Sequence, residues 1–391
     1  MTTNFKIATS SNATVDLDDV LMRREYLNVG TLWTWGQATA GKLGDGTTVS
    51  KQSPVTVSGG ALIWKDVAGA EGHGMGIKND GTLWTWGTNT FGQLGDGSNT
   101  SKSSPGTTAG GGSNWRKLGL ITGGGGGRSG AGIKADGTLW TWGSNANGQL
   151  GDGTTISKIS PVVTSGGANW KQVSCAYAFS GAIKTDGTLW IWGGASFSSA
   201  AYLAGSTSSP TTIVGGGTSW KLVSCGYDHI TTIKTDNTVW ACGTNDLGQF
   251  GDGTTINKSS PVTTSGSGTN WKQVSSGRKY TSATKTDGTL WSWGRNNSGQ
   301  LGVGNTLNRS SPTTISGGGT TWRQVSCGYN QTAAVKADGS LWTWGNDFAG
   351  ALGDNNTVNR SSPVTVAGTN VNWKTVVACN YSMHGIVDIT F

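Results

Sequence analysis

Residues 170–193 read Trp170-Lys-Gln-Val-Ser-Cys-Ala-Tyr-Ala-Phe-Ser-Gly-Ala-Ile-Lys-Thr-Asp-Gly-Thr-Leu-Trp-Ile-Trp-Gly193. Three strands are legible in this stretch. Trp170 to Ser174 starts the first, and Ala182 to Lys184 belongs to the second. Asp186-Gly187 then makes a two-residue hairpin turn, because Asp-Gly suits the positive φ that a type I′ turn demands. The third strand is Leu189-Trp190-Ile191-Trp192. Trp190 and Trp192 stand two apart and share a face, while Leu189 takes the other. Apolar residues on both faces suit a small sheet packed between two others.

Working outward, the Leu-Trp pair recurs at Leu32, Leu83, Leu139, Leu189, Val239, Leu290 and Leu341, every 50 to 56 residues. Between the pairs run Gly-x-Leu-Gly-Asp-Gly, then Ser-Pro, then Trp-Lys/Arg, then Lys-x-Asp-Gly. All 20 Trp and all 7 Pro fall in this pattern. A strand-rich repeat of this period predicts one propeller blade per unit. Segments such as Pro54-Val55-Thr56-Val57 read as outer strands, where Pro is tolerated. The fold expected is all-β: a seven-bladed β-propeller of four-stranded blades. Each Trp removes on the order of 4–6 kcal/mol worth of apolar surface from water, a gross upper figure. The Trp residues are therefore read as core.

The two ends complement each other. Gly30 to Gly36 lacks a preceding Lys-x-Asp-Gly hairpin, and the chain finishes on Trp373 and then His384 to Phe391. The N- and C-terminal strands are expected to pair and complete the seventh blade, removing two sheet edges. The domain reading is an arm over residues 1–29 and a propeller over 30–391.

The remaining composition excludes several function classes. Net charge is +7, but 19 of the 28 basic residues are spread evenly through the repeat. A nucleic-acid footprint needs clustering, so no specific nucleic-acid partner is expected. No run of 18 apolar residues suggests membrane insertion, and no standard signal peptide opens the chain. The five Cys residues lie at small-residue sites of the repeat or, for Cys242, in place of a Trp; no CxxC is present. Cys175, Cys225, Cys327 and Cys379 are read as equivalent buried positions. Asp in Gly-Asp-Gly is read as capping its own turn rather than binding calcium. His73 and His229 share a repeat position in distant blades, so no metal site is expected. Asp228 and His229, adjacent in one strand, are expected to point apart. No general acid/base pair is visible, and the reading is no enzyme and no cofactor.

The Leu-Trp-x-Trp-Gly, Gly-Gln-Leu-Gly-Asp-Gly, Ser-Pro and Trp-Lys-Gln-Val-Ser-Cys-Gly series resembles the regulator of chromosome condensation repeat family over residues 30–391. That resemblance implies the propeller and functions as scattered as nucleotide exchange, chromatin docking and light sensing. An exchange factor of this family acts through a protruding insertion; the only insertion here, Gly119–Gly130, is glycine-rich and a poor wedge. The stretches matching the light-sensing Trp loops read Gly226-Tyr-Asp-His-Ile230, Gly277-Arg-Lys-Tyr-Thr281 and Gly328-Tyr-Asn-Gln-Thr332, with no Trp. The resemblance also implies that these loops line one face of the disc.

Binding is expected where the repeats disagree: Tyr177, Tyr227, Asp228, Arg278, Lys279, Tyr329, Asn330 and Tyr381. Tyr and Arg are favoured at protein interfaces. The fourth repeat also departs over Gly193–Pro210, with Phe197 and Tyr202. The arm contains Asp16, Leu17, Asp18, Asp19, Val20, Leu21 and Met22, and looks like N-terminal segments of tailed-phage virion proteins. On that resemblance the expectation is a virion tail or capsid appendage. The arm would dock on other virion proteins and the disc would meet a host-surface receptor or neighbouring virion proteins. The alternative is a bacterial protein-binding module, an inhibitor or adhesin, secreted or held at the cell surface.

Overall fold

Every Trp-Lys/Arg-x-Val run forms the innermost strand of a blade, and successive inner strands pack against one another around the ring. The computed structural model describes residues 30–59, 63–119, 127–194, 207–213, 217–266, 268–368 and 372–388. In the third blade the order from the axis outward is Trp170–Cys175, Phe179–Lys184, Leu189–Gly193 and Thr207–Thr212, all antiparallel. The same four-strand order repeats in seven blades. The expected arm residues lie outside the described residues, as do Phe197, Tyr202 and most of the glycine insertion.

Closure is as expected. The C-terminus supplies the two inner strands of the seventh blade, Trp373–Ala378 and Ser382–Asp388, and the N-terminus the two outer ones, Gly30–Gly36 and Lys51–Thr56. Seven successive pairs join the two ends, from Gly30 opposite Asp388 to Gly36 opposite Ser382. A single pair, Gly30 opposite Trp64, links this blade to the first.

The tryptophans divide into three classes. The second Trp of each pair, such as Trp35, Trp86 and Trp192, is fully buried, as is the Trp of the inner strand. The two meet edge-on, for example Trp115 and Trp142 at 5.9 Å and 71°. The first Trp of each pair is only half-buried, which corrects the expectation that all are core. In six blades its indole N–H donates to the hydroxyl two residues earlier, as Trp190 Nε1 does to Thr188 at 2.8 Å, whereas the buried Trp33 Nε1 of the seventh has no hydrogen-bond partner among the described residues. In those same six blades a lysine covers its ring: Lys78 lies 3.5 Å from the Trp84 centroid and Lys134 3.9 Å from that of Trp140. These lysines are thus engaged in cation–π contacts.

A second set of charges is absorbed by the Gly-Asp-Gly loops. Asp152 Oδ1 accepts from the backbone and hydroxyl of Thr154, the turn capping read from sequence, and Oδ2 lies 3.3 Å from Lys158. Beside it a buried Asn locks the loops of four blades. Asn145 Oδ1 accepts from Leu150 N, and Nδ2 donates to Asp152 and to the carbonyls of Thr154 and Ile156. Asn89, Asn245 and Asn296 do likewise within their own loops. The sixth loop has Asp347 there. Its Oδ1 accepts from Leu352 N, but the buried Oδ2 has no hydrogen-bond partner. Burial, and then the neighbouring Asp354, push this carboxyl up to about 7. A raised carboxyl costs stability above that pH and is relieved as pH falls through it. Asp347→Asn is therefore expected to raise the thermal midpoint at pH 8, by on the order of 2 kcal/mol of stability, with a smaller gain at pH 5. Thermal unfolding at the two pH values checks this; no gain at pH 8 would refute it.

Candidate protein-binding face

The inner strand and its neighbour are joined by a two-residue turn. Its closing bond is Ala176 N to Phe179 O in the third blade and Gly226 N to His229 O in the fourth, with the same bond from Gly277 and Gly328. The residues at each turn's tip escape the packing rules of the blade, which is why they vary between repeats. The described turns lie on one face of the disc, together with the Gly-Asp-Gly loops; the Asp-Gly hairpins occupy the other.

Five of the predicted residues form one continuous arc on this face. Tyr177 stacks on Tyr227 with ring centroids 5.6 Å apart and planes 20° apart. The Arg278 guanidinium lies 5.4 Å from the Tyr227 centroid and 4.5 Å from that of Tyr329. Tyr329 meets Tyr381 at 5.5 Å. Tyr381 reaches this position although it stands at the second tip position rather than the first, because its backbone adopts φ +56°. Beyond it lies Phe348 at 5.1 Å, 54% exposed. Sequence reading missed Phe348, which sits at a loop position where other repeats place Thr90, Ala146, Asp246 or Asn297.

The other three predicted residues behave differently. Lys279 bridges Asp246 at 2.6 Å and Asp228 at 3.6 Å. Burial pushes Asp246 upward, but bonds from Lys279 and Gln249 outweigh it and hold the carboxyl below its usual range. Asp228 and Asn330 are buried, at 7% and 8% exposure. They turn inward rather than lie exposed at the tip: the Asn330 backbone N–H donates to Gln331 Oε1, and its side chain faces Gln300.

Asp228 and His229 also depart from the expectation that they point apart. Asp228 lies in the turn, and its Oδ1 is 3.8 Å from His229 Nδ1. His229 Nε2 lies 3.2 Å from Thr281 Oγ1. This Asp–His–Thr line is no nucleophile: Thr281 and His229 are fully buried, and the Thr281 hydroxyl donates to the Gln249 carbonyl. Among the described residues no group of three or more His, Cys, Asp or Glu is placed to hold a metal.

Cys379 corrects another equivalence. Ala378 opposes Met383 as Cys175 opposes Ser180, so Cys379 stands one residue further, at the site of Gly226, Gly277 and Gly328. Burial raises its thiol to about 12 and those of Cys175 and Cys327 to about 11, so none is a reactive thiolate.

Residues 113–388 match the RCC1-like domain, and residues 29–77 and 80–124 match regulator of chromosome condensation (RCC1) repeats. The ultraviolet-B receptor UVR8 of Arabidopsis thaliana is 28% identical over 358 residues, covering 87% of this chain and 66% of the receptor. A Danio rerio RCC2 homologue is 38% identical over 107 residues, 26% of this chain and 21% of that protein. The chain thus spans less than two thirds of either relative. Among solved structures, human WBSCR16 superposes with a TM-score of 0.80 at 18% identity, over 93% of this chain and 100% of that one. Prp20p of Saccharomyces cerevisiae, described with its binding to Gsp1p and histones, gives 0.78 at 17% identity over 94% and 95%. All four are eukaryotic proteins. They overturn the expected virion appendage and give no support to virion partners.

Proposed function

Because the chain belongs to the regulator of chromosome condensation repeat family, we propose that it is a protein-binding propeller that engages its partner through the arc from Tyr177 to Phe348. One observation carries this reading. Arg278 lies between two tyrosine rings without an ion pair among the described residues, and its buried Nε has no hydrogen-bond partner there. A guanidinium held between aromatic rings, with donors to spare, is suited to anchor a binding hot spot. The tyrosines offer rigid amphipathic area at low entropic cost. Proteins of similar fold act by binding: Prp20p is described with Gsp1p and histones, and also bound to Kap60. The disc serves as the scaffold, and no side chain described on this face is arranged for chemistry.

The test is photo-crosslinking from position 177 or 348 in the native host, followed by affinity measurement with the captured protein. Arg278→Ala and Tyr329→Ala are each expected to weaken binding by roughly 30-fold, about 2 kcal/mol. Asp136→Ala on the opposite face is expected to leave it unchanged. Full affinity in both arc variants would refute the reading.

A further inference from the structure

A cleft of about 420 Å³ opens on the loop face beside the end of the arc, where blades seven, one and two meet. That volume lies in the range of small-molecule sites. Its lining includes Lys42, Glu71, Phe91, Arg128, Asn380 and Tyr381. Lys42 stands where the other loops carry Gln93, Gln149, Gln249 and Gln300. Each of those glutamines folds back to accept a backbone N–H two residues earlier, as Gln93 Oε1 does from Phe91 N at 2.8 Å. Lysine has no acceptor and cannot make that bond.

Lys42 is instead an ammonium only 2% exposed. It donates to Gln37 Oε1 and the Asn380 carbonyl at 2.7 Å, and to the Glu71 carbonyl at 3.3 Å. No carboxylate among the described residues lies within 4 Å of it. Burying a charge without a counter-charge is costly, and a protein rarely retains one where a neutral residue serves in four other loops. Across the cleft, Arg128 lies over Phe91 at 4.9 Å and only 3.9 Å from Glu71. Lys42, Arg128 and Glu71 together leave one net positive charge, which matches a monoanion.

We propose that this cleft binds a small organic carboxylate, with the buried Lys42 as its counter-charge and Arg128 as the planar partner of the carboxylate group. Lys42 supplies field from the floor while the accessible Arg128 makes the direct bonds, bidentate in the manner of guanidinium–carboxylate pairs. Phe91 and Tyr381 flank the organic body. Burial draws Lys42 down to about 8 against the pull of Cys379 and Glu71, and Lys42 in turn lowers buried His384. A bound carboxylate would keep the ammonium protonated to higher pH. This site shares Tyr381 with the arc but rests on different observations, so its failure would leave the protein-binding reading intact.

Titration calorimetry with benzoate, benzamide and inorganic phosphate tests the assignment on the full chain. Benzoate is expected to bind saturably, and benzamide and phosphate at least roughly tenfold more weakly. Lys42→Gln restores the residue of the other loops and is expected to fold, yet to lose at least about tenfold in benzoate affinity. Arg128→Gln is expected to lose as much. The proposal is overturned if benzoate does not saturate, if benzamide or phosphate matches it, or if folded Lys42→Gln binds as the parent does.

Discussion

A chain ending at Tyr381 loses its cooperative thermal transition. The strand Ser382–Asp388 is the sole partner of the N-terminal strand on its inner side and the outer partner of Trp373–Ala378. Met383 and Ile386 are fully buried on it. Truncating one such side chain costs on the order of 2–5 kcal/mol. Removing the strand takes both, together with the hydrogen bonds along its two edges, against a total stability of about 5–15 kcal/mol. The truncated ring also exposes two unpaired edges, which invite association between copies. Circular dichroism melting and light scattering check this. A parent-like melting temperature in a monomeric truncated chain would show that the seam contributes little.

Acid opens the same seam. His384 lies on the closing strand itself and faces His73 of the neighbouring first blade, both essentially unexposed. None of their ring nitrogens has a hydrogen-bond partner among the described residues. Burial alone lowers His73 to about 4; burial, then the charge of Lys42 and of His73, lowers His384 to about 3. The unfolded imidazole takes up a proton near pH 6.5. Between that value and the folded values, the unfolded chain binds more protons, so stability falls as pH drops from about 6.5 toward 4. Two such groups are expected to remove several kcal/mol over that window. Asp347 works in the opposite sense and offsets part of the loss. Denaturant titration at pH 7 and pH 4.5 is the measurement. A variant carrying His73→Gln and His384→Ala, residue types found at the matching sites in the sixth blade, is expected to flatten the slope. A slope unchanged in that variant would place the acid sensitivity elsewhere.

The ring was legible because its information is local. Asp186-Gly187, the Leu-Trp pair and the inner-strand Trp each act within a dozen residues, and the same signals recur in every blade. The arc was half legible. Tip residues announce themselves by variation, but variation does not say which way a side chain turns. Asp228 and Asn330 vary like Tyr227 and Tyr329, yet the second tip position folds inward in those blades. At Tyr381 the left-handed backbone brings a second-position residue back to the arc. The seam was not legible. Lys42, His73 and His384 lie more than 300 residues apart at the extremes and meet only when the ring closes. Comparing His73 with its repeat equivalent His229 drew attention to the wrong partner. The virion expectation failed for a different reason: a short acidic-apolar arm carries little information beside a repeat that spans the chain.

The manner of closure also fixes how this disc can be held. Gly30 and Asp388 oppose each other at the start and end of adjacent strands. The chain therefore enters and leaves the propeller side by side, at the edge of the face that carries the Asp-Gly hairpins. A linker, a reporter or another polypeptide joined directly at Gly30 or Asp388 would leave from one point, on the side away from the arc. Held at that point, the propeller presents its tyrosine–arginine arc outward, free to survey whatever passes in front of it.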